Sequence, residues 1–469
     1  MKNRNEILKL LKIRRLCVVL LAIFVFLCPI FAFGQKVSIS GKANKINALV
    51  RLLAYDEMLS GEQTKIAETH TDKDGKFYLE AEIKEITPAQ IAIDLERVDF
   101  ILNPNGKYDV EIFVPERQAD VSFFDREHPT LKINHADDDN LYSQYIDIES
   151  LINDFLYLNF NQIYRGRKLY LLDSLDNQIV RNVGEIKSDY VRNFIKYKKA
   201  AIVMAANSKK AVSEYFDNQE VLYLQTAYMD AFKELFGGFF KTRDFNRQEL
   251  QKEFNSGYEN IVSYLKKNDF LSRNPQLFEL IFMMELKRFY YENTFDKNII
   301  LSYLEKTETS SKYLKNKDIA RNFIKQITAL SFDSDAPFFS LKDKNGQNVQ
   351  LSDYQDDMVL IQFVEGISPV IERELLLLNE YHKEWKDSVK ILTIAPKDSF
   401  YDFLQLFDNQ GYDWTVLNLG DNVLLLEDYH VKMYPAYVIL KKKCKIGMAP
   451  APSPEQYLDF HVKRISKYL

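Results

Sequence analysis

The chain has 469 residues, with 62 lysines and arginines against 67 aspartates and glutamates, and a formal net charge of −5 at pH 7. This length is enough for three domains. The acidic balance argues against nucleic acid as a partner, because a polyanion is bound by clustered Lys and Arg side chains.

The first 34 residues have the pattern of a secretory signal peptide. Six Lys and Arg side chains within residues 1–15 precede an apolar run at 16–33, and Ala32 and Gly34 are small residues just before Gln35. We predict that residues 1–34 are removed and that the mature protein is periplasmic. The alternative is a retained membrane anchor, since this run of 18 residues is long enough to span a bilayer. Pro29 and the small residues favour cleavage.

Cleavage changes both the charge and the cysteine count. The removed segment carries a net charge of about +5, so the mature chain carries about −10, which also disfavours an anionic lipid surface. Cys444 is then the single remaining cysteine, so no intramolecular disulfide can form. A membrane is expected as a partner only if the signal segment is retained.

Residues 35–132 have the pattern of a small β-sandwich. Short alternating or apolar runs such as 37–40, 49–55 and 76–81 are separated by turn residues. The sequence Asp72-x-Asp74-Gly75 also resembles the start of a calcium loop. The position of the expected twelfth-residue glutamate holds Ile83, so a hairpin turn is the favoured interpretation.

Residues 133–332 are predicted to be helical. Pro275 is the only proline, and segments such as 141–164, 188–205, 276–291 and 317–330 have helical spacing of apolar residues. Aromatic residues cluster around Gly237-Gly238. They predict buried helix packing, with a peptide-binding groove as the alternative. The acidic run 137–140 is of a kind that holds cations, but acidic residues at the start of a helix are the favoured explanation.

The most informative segment is residues 359–382, an apolar strand that runs through a short turn into a long helix. It resembles the catalytic segment of thiol-disulfide oxidoreductases of the TlpA/ResA type, whose strand ends in Phe-Trp-Ala-x-Trp-Cys-x-x-Cys. In the ungapped match, Phe363 takes the place of the Phe, Ser368 of the nucleophilic Cys and Ile371 of the resolving Cys. The resemblance therefore implies a thioredoxin-like domain over residues 333–469 with a degenerate active site. Disulfide exchange needs a thiolate, so the usual redox chemistry is expected to be absent.

The order of the following elements supports this resemblance. Predicted strands at 389–395 and 414–417 alternate with helices at 398–409 and 423–429. Pro435 stands where the family has its cis-proline, and an ordinary trans proline at a strand edge is the alternative. A capping box at 453–456 is predicted to start the last helix.

Ser368 has two interpretations. A serine followed by Pro369 is typical of a helix start, because the hydroxyl accepts a free backbone N–H and proline lacks one. A serine nucleophile would instead need a nearby base, and the nearest histidine, His382, lies several turns along the same helix. Capping is therefore the favoured role.

Cys444 lies among four lysines, at 441–443 and 445, in a predicted turn between two strands. The lysines are expected to favour its thiolate. A reactive or intermolecularly bonded thiol is one interpretation. An incidental turn residue is the favoured one, because the turn is predicted to lie away from the Ser368 helix end.

The sequence thus predicts a multidomain α+β protein with an N-terminal small β-sandwich, a central helical domain and a C-terminal thioredoxin-like α/β domain. The expected function is non-catalytic binding of an unknown periplasmic protein or peptide, or scaffolding. Its groove would be formed by Glu365, Gly366, Ile367, Val370, Tyr434 and Pro435. The alternatives are a thiol-disulfide oxidoreductase relative with residual activity and a purely structural thioredoxin-like domain, with the β and helical domains as the functional part. Neither a cofactor nor a metal is expected, because the six histidines are scattered without metal-ligand spacing.

Overall fold

The computed structural model describes residues 34–94, 96–115, 127–206, 214–385, 388–420 and 422–467. Apart from Gly34, the predicted signal peptide at 1–34 lies outside the described residues. None of the helices in this described part combines the length and the apolar character that a membrane span requires.

The N-terminal part consists of two four-stranded sheets with the orders β4-β1-β7-β8 and β3-β2-β5-β6. Their strands are β1 (Gln35–Ala43), β2 (Leu49–Tyr55), β3 (Gln63–His70), β4 (Lys76–Ile83), β5 (Thr87–Ile93), β6 (Glu96–Leu102), β7 (Lys107–Phe113) and β8 (Thr130–Asp137). Residues of β4 and β7 alternate between buried and exposed along the strand, so one face of their sheet lies on the core. The predicted β-rich N-terminal part is confirmed.

Two of these strands, β3 and β8, are not among the runs that the sequence pattern indicates. Each lies at the edge of its sheet, and neither contains a fully buried residue. Edge strands are commonly polar, which leaves only a weak alternation in the sequence. β8 also runs to Asp137, so the β structure extends beyond the predicted boundary at 132.

The central part is helical. Its described helices are α1 (Leu141–Phe160), α2 (Leu171–Val183), α3 (Asp189–Ala205), α4 (Thr226–Phe236), α5 (Arg247–Ser256), α6 (Tyr258–Leu265), α7 (Asp269–Arg273), α8 (Pro275–Glu292), α9 (Lys297–Ser310) and α10 (Leu314–Thr328). The aromatic residues near Gly237-Gly238 are largely inside: Phe232, Phe236 and Phe240 are buried. Helix packing, rather than an open groove, is therefore their role.

The C-terminal part is a seven-stranded sheet with helices on it. Its order is β10-β9-β13-β12-β11-β14-β15, in which β11, β12 and β13 are parallel and β14 is antiparallel to β11. The strands are β9 (Ser340–Lys342), β10 (Asn348–Gln350), β11 (Met358–Phe363), β12 (Val389–Ala395), β13 (Thr415–Asn418), β14 (Ala436–Lys441) and β15 (Lys445–Ala451). The helices are α11 (Pro369–Trp385), α12 (Phe400–Gln410), α13 (Leu424–Asp428) and α14 (Leu458–Ser466). All six residues of β11 are buried, as expected for a central strand covered on both faces.

The predicted capping box at 453–456 is wrong. Residues 454–456 form a 3-10 turn, Tyr457 adopts a left-handed conformation with φ 66°, and α14 begins only at Leu458. The Ser453 side chain makes no capping hydrogen bond. One face of this helix is apolar and packs on the core, since Leu458, Val462 and Ile465 are buried.

The three parts are joined by specific contacts. Buried apolar side chains from β1 to α10 form one continuous cluster, whereas the C-terminal part has two clusters of its own. The C-terminal part is attached through Glu427 of α13. Its carboxylate accepts hydrogen bonds from Arg51 at 3.0 and 3.1 Å and from Arg97 at 2.6 Å. A partly buried ionic contact therefore fixes α13 against the sheet that contains β2 and β6.

Candidate functional site

The end of β11 and the start of α11 form the centre of the candidate site. The Ser368 hydroxyl accepts a hydrogen bond from the backbone N–H of Ile371 at 3.3 Å, and Pro369 is the first residue of the helix. This is the geometry of an N-cap, so the capping role of Ser368 is confirmed. Ile371 is 3% exposed and packs into the domain core. Ser368 and Ile371, which the motif match aligns with cysteines, thus each have a structural role, while that alignment stays a prediction.

His382 does not serve Ser368 as a base. It lies in the last turn of α11, where its Nε2 is 2.9 Å from the Asp413 carboxylate. Among the described residues, the Ser368 hydroxyl has one hydrogen bond, the one from Ile371. Within the described part of the chain, no hydrogen bond thus links the Ser368 hydroxyl to the base that an activated serine requires.

The loop between β11 and α11 is held at its start and open at its end. The Ser399 hydroxyl donates to the Glu365 carbonyl at 2.7 Å, and Val364 N–H donates to the Ile394 carbonyl at 3.1 Å. Ile367 is half-buried against the core, whereas Val370 is 42% exposed. The loop has a fixed base and an apolar outer side.

The second wall of the site comes from the start of β14. The Tyr434–Pro435 peptide bond is cis, as the resemblance implies. Ala436 is paired with Phe363 in the antiparallel register of β14 and β11, which places Pro435 beside the start of the 364–368 loop. Met433, just before it, is 66% exposed. The structure therefore brings together the predicted groove residues Glu365, Gly366, Ile367, Val370, Tyr434 and Pro435, while their binding role stays a prediction.

A buried polar network lies behind this site. The Tyr437 hydroxyl donates to the Glu374 carboxylate at 2.6 Å and accepts from the Gln362 amide at 3.0 Å. The network continues from Gln362 to Thr393 at 2.9 Å and from Thr393 to the Trp414 indole at 3.0 Å. It crosses the central strands of the sheet, so it fixes the orientation of α11 relative to β11 and β14.

Glu374 is the residue of this region that the sequence interpretation missed. It is 3% exposed, and burial raises the pKa of its carboxyl although the hydrogen bond from Tyr437 acts in the opposite direction. The signal in the sequence is its position, because Glu374 falls between Ile371 and Leu378 on the apolar face of α11. An acidic residue within such a face indicates a buried, hydrogen-bonded carboxyl.

Cys444 lies away from this site. β14 separates Pro435 from the turn that holds Cys444, a distance on the order of 20 Å at 3.3 Å per strand residue. Its Sγ is 3.4 Å from the Leu351 carbonyl. The expectation that lysines favour its thiolate is wrong: burial, and then Asp335, raise the pKa of the Cys444 thiol. Lys441 and Lys445 are paired with Asp333 and Asp335, which neutralises their charge there.

Two other candidate sites are structural. The Asp72 carboxylate accepts the N–H groups of Asp74 and Lys76 at 2.8 Å, which closes a hairpin turn. Asp138 accepts the Tyr142 N–H at 2.9 Å and so starts α1. Within the described ranges, no group of three or more His, Cys, Asp or Glu side chains has a metal-binding arrangement.

Comparisons with known proteins give one family match and several similar solved structures, each of which covers part of this chain. Residues 333–449 match the AhpC/TSA family. Similar solved structures include the thioredoxin domain of a thiol-disulfide oxidoreductase from Bacteroides vulgatus, with 21% identity over 29% of this chain and 99% of that chain and a TM-score of 0.26. A thiol:disulfide interchange protein from Bacteroides sp. has 19% identity over 30% and 91%, with a TM-score of 0.27. The exposed lipoprotein thioredoxin of Streptococcus pneumoniae has 24% identity over 27% and 99%, with a TM-score of 0.23.

No match was found among curated proteins. The matched family covers residues 333–449, the same part of the chain in which β11, β12 and β14 adjoin the cis-proline loop. The chain is thus a mixed α+β protein with a C-terminal thioredoxin-like domain.

Proposed function

We propose that the chain is an exported thioredoxin-like protein that has no redox dithiol and binds an extended peptide segment of a periplasmic partner. The observation that carries the proposal is the structural role of Ser368 and Ile371, the two positions that the motif match aligns with cysteines. Ser368 caps α11 and Ile371 is buried in the core. The 364–368 loop and the segment that contains Pro435 still lie side by side. The scaffold is retained where the chemistry is missing.

The chemistry of the site favours binding over electron transfer. Thiol-disulfide exchange proceeds through attack of a thiolate on a disulfide sulfur, and neither a serine hydroxyl nor an isoleucine provides one. The alternative route, through Cys444, is disfavoured because its thiol pKa is raised and it lies at the far end of β14. A protein that binds without cycling a disulfide is the better description.

The proposed groove has an apolar rim suited to an extended chain. Val370 from α11 and Met433 before Pro435 are exposed on its two sides, and Ile367 lies between them, half-buried. Side chains of an extended peptide alternate in direction, so every second one would contact this rim. Recognition of this kind needs no thiol.

The test is site-specific photo-crosslinking in the native compartment. A photo-reactive amino acid would replace Val370 in one variant and Leu376 in a matched control. Leu376 is 55% exposed on the same helix but lies outside the groove. Crosslinks to a partner from position 370 and not from 376 support the proposal. Equal crosslinking at both positions, or at 376 alone, moves the binding surface elsewhere.

Export and cleavage of the signal peptide are tested separately, by the intact mass of the exported protein. If the signal peptide is cleaved as proposed, the intact mass of the exported protein corresponds to a chain that begins at Gln35, because Ala32 and Gly34 provide the small residues that the peptidase requires. An exported chain that still carries Met1 would contradict cleavage without affecting the groove.

A further inference from the structure

The turn between α1 and α2 exposes an unusual amount of apolar surface. We name residues 157–170, with their π-helix at Asn161–Arg165, the hairpin tip. Tyr157 is 86% exposed, Leu158 76%, Phe160 53% and Tyr170 65%. Single exposed apolar side chains are ordinary, but several within one turn indicate an interaction surface.

These exposed side chains are not needed by the core. The inward positions in and beside the hairpin tip are already filled by Phe155, Ile163 and Leu172, all of which are buried. The outward residues therefore add little to folding, and their exposure costs solubility. This cost in solubility disappears if a binding partner covers the exposed apolar side chains.

The charges around the hairpin tip identify the class of that partner. The charged residues of the hairpin tip are three cations, Arg165, Arg167 and Lys168, and the exposed Asp154 and Asp173 flank it on α1 and α2, within a chain that has more acidic than basic residues. All three are exposed, and none forms an ion pair with a described residue. The contact of Lys168 is with the Gln162 side chain, at 3.4 Å. One carboxylate, Glu234, is close enough to contribute to the raised pKa of Tyr164, after burial.

The pattern of exposed Tyr, Phe and Leu beside Arg and Lys is that of a segment which lies in a membrane–water interface. The four exposed side chains present on the order of 500 Å², which is below the roughly 800 Å² per partner of a standard protein interface. A second copy would place the same cations against each other across a two-fold axis, which is unfavourable. An anionic lipid surface instead receives both the apolar and the cationic groups.

From these observations we infer that the hairpin tip binds the surface of a membrane that contains anionic lipids. Its apolar side chains enter the interface, and Arg165, Arg167 and Lys168 contact the headgroups. The inference does not depend on the groove beside Ser368. The acidic net charge of the chain opposes binding to an anionic surface, so the attachment depends on the three local cations and is peripheral and reversible. Salt weakens it because it screens their attraction to the lipid headgroups.

The test is sedimentation with lipid vesicles of the protein recovered from the exported fraction. Vesicles of phosphatidylcholine alone are compared with vesicles that also contain phosphatidylglycerol. The wild-type protein should sediment with the second kind and lose binding at high salt. Leu158→Ser with Tyr157→Ser should lower sedimentation with the vesicles that contain phosphatidylglycerol. Arg165→Gln with Arg167→Gln should raise the apparent Kd for anionic vesicles on the order of tenfold or more.

Leu314→Ser is the matched control, because Leu314 is 77% exposed on α10, outside the hairpin tip. It should bind vesicles as the wild type does. All the changed side chains are exposed, so circular dichroism should show unchanged folding. Equal vesicle binding by wild type and both double variants would overturn the inference. So would concentration-dependent dimers that the Leu158→Ser change abolishes, since a second copy would then cover the hairpin tip.

Discussion

Replacing Glu427 by Gln should uncouple the thioredoxin-like domain from the N-terminal sheet. The change keeps the shape of the side chain and removes the charge that faces Arg51 and Arg97. The Arg51 side chain is only 3% exposed, and its buried Nε has no hydrogen-bond partner among the described residues. Loss of the Glu427 charge would therefore leave a buried cation whose other hydrogen bond among the described residues is to the Asp94 carbonyl, 2.8 Å away.

The size of the effect follows from burial. Removing one partner of a fully buried ion pair costs about 3–5 kcal/mol. Glu427 and Arg97 are each 32% exposed, so water screens part of the interaction. We expect a cost of about 2 kcal/mol, which corresponds to roughly 1 M in the urea midpoint of a domain of this size.

The chain provides its own probe for the measurement. Its two tryptophans, Trp385 and Trp414, both lie in the thioredoxin-like domain, so their fluorescence reports that domain alone. Far-ultraviolet circular dichroism reports mainly the helical part. In the Glu427→Gln variant, the fluorescence transition should move to lower urea than the circular-dichroism transition. Coincident transitions at the wild-type midpoint would refute the role of this ion pair.

Acid should have the same effect as the substitution. Burial acts to raise the pKa of Glu427, but the hydrogen bonds and charges of Arg51 and Arg97 outweigh it and hold the pKa below the ordinary 4.5. A carboxyl with a lowered pKa stabilises the fold above its unfolded pKa, and this contribution is lost as the pH falls through the folded one. Wild type and variant should therefore differ at neutral pH and converge in acid.

Two further variants separate this effect from general charge loss. Glu384 pairs with Lys463 but is 58% exposed, so Glu384→Gln should change stability by less than about 0.5 kcal/mol. Arg51→Met combined with Glu427→Leu removes the buried cation together with its partner and should recover much of the loss, because Arg97, which also loses this partner, is 32% exposed and can be hydrated. A double variant as unstable as Glu427→Gln would mean that packing, not the unpaired cation, causes the effect.

Three other outcomes are expected. Ser368→Cys with Ile371→Cys should form a disulfide that dithiothreitol reduces, detected by alkylation and mass, whereas the wild type should not reduce insulin; inert, unpaired thiols in the variant would mean that the motif alignment is wrong. Glu374→Gln should stabilise the protein at neutral pH. A buried carboxyl with a raised pKa lowers the stability of the fold as the pH rises above 4.5, and the neutral amide does not ionise. A pH–stability profile identical to wild type would contradict this. Cys444→Ser should change stability by less than about 1 kcal/mol, and the wild-type thiol should react slowly with a disulfide reagent at neutral pH, because its pKa is raised; fast reaction would restore the reactive-thiol interpretation.

Much of the thioredoxin-like domain could be predicted because its signals are local. β12 has the predicted bounds, 389–395, since a buried parallel strand is a continuous apolar run. The serine and proline that start α11 are adjacent in sequence, and so are the two residues of the cis bond. In contrast, β3 and β8 are polar edge strands whose pattern is set by neighbours far along the chain.

The residues that connect the domains could not be predicted for the same reason. Arg51 and Glu427 are 376 positions apart, and neither has an unusual local context. The shared core of the β and helical parts likewise depends on contacts between segments that look independent in sequence. For Cys444 the local sequence was misleading. Its lysine neighbours predicted a favoured thiolate, but the pairing of Lys441 with Asp333 and of Lys445 with Asp335 is visible only in the fold.

The groove wall around Pro435 is positioned by the rest of the chain as well as by its own domain. The segment 427–435 begins at Glu427, which is held by the N-terminal sheet. Two residues later, the Tyr429 ring is 5.3 Å from the Phe363 ring, and its hydroxyl donates to the Pro337 carbonyl at 2.8 Å. The segment then reaches Met433 and Tyr434-Pro435. An isolated thioredoxin-like domain would retain its two cores but lose the outer anchor of this segment, so the groove is best regarded as a property of the whole chain.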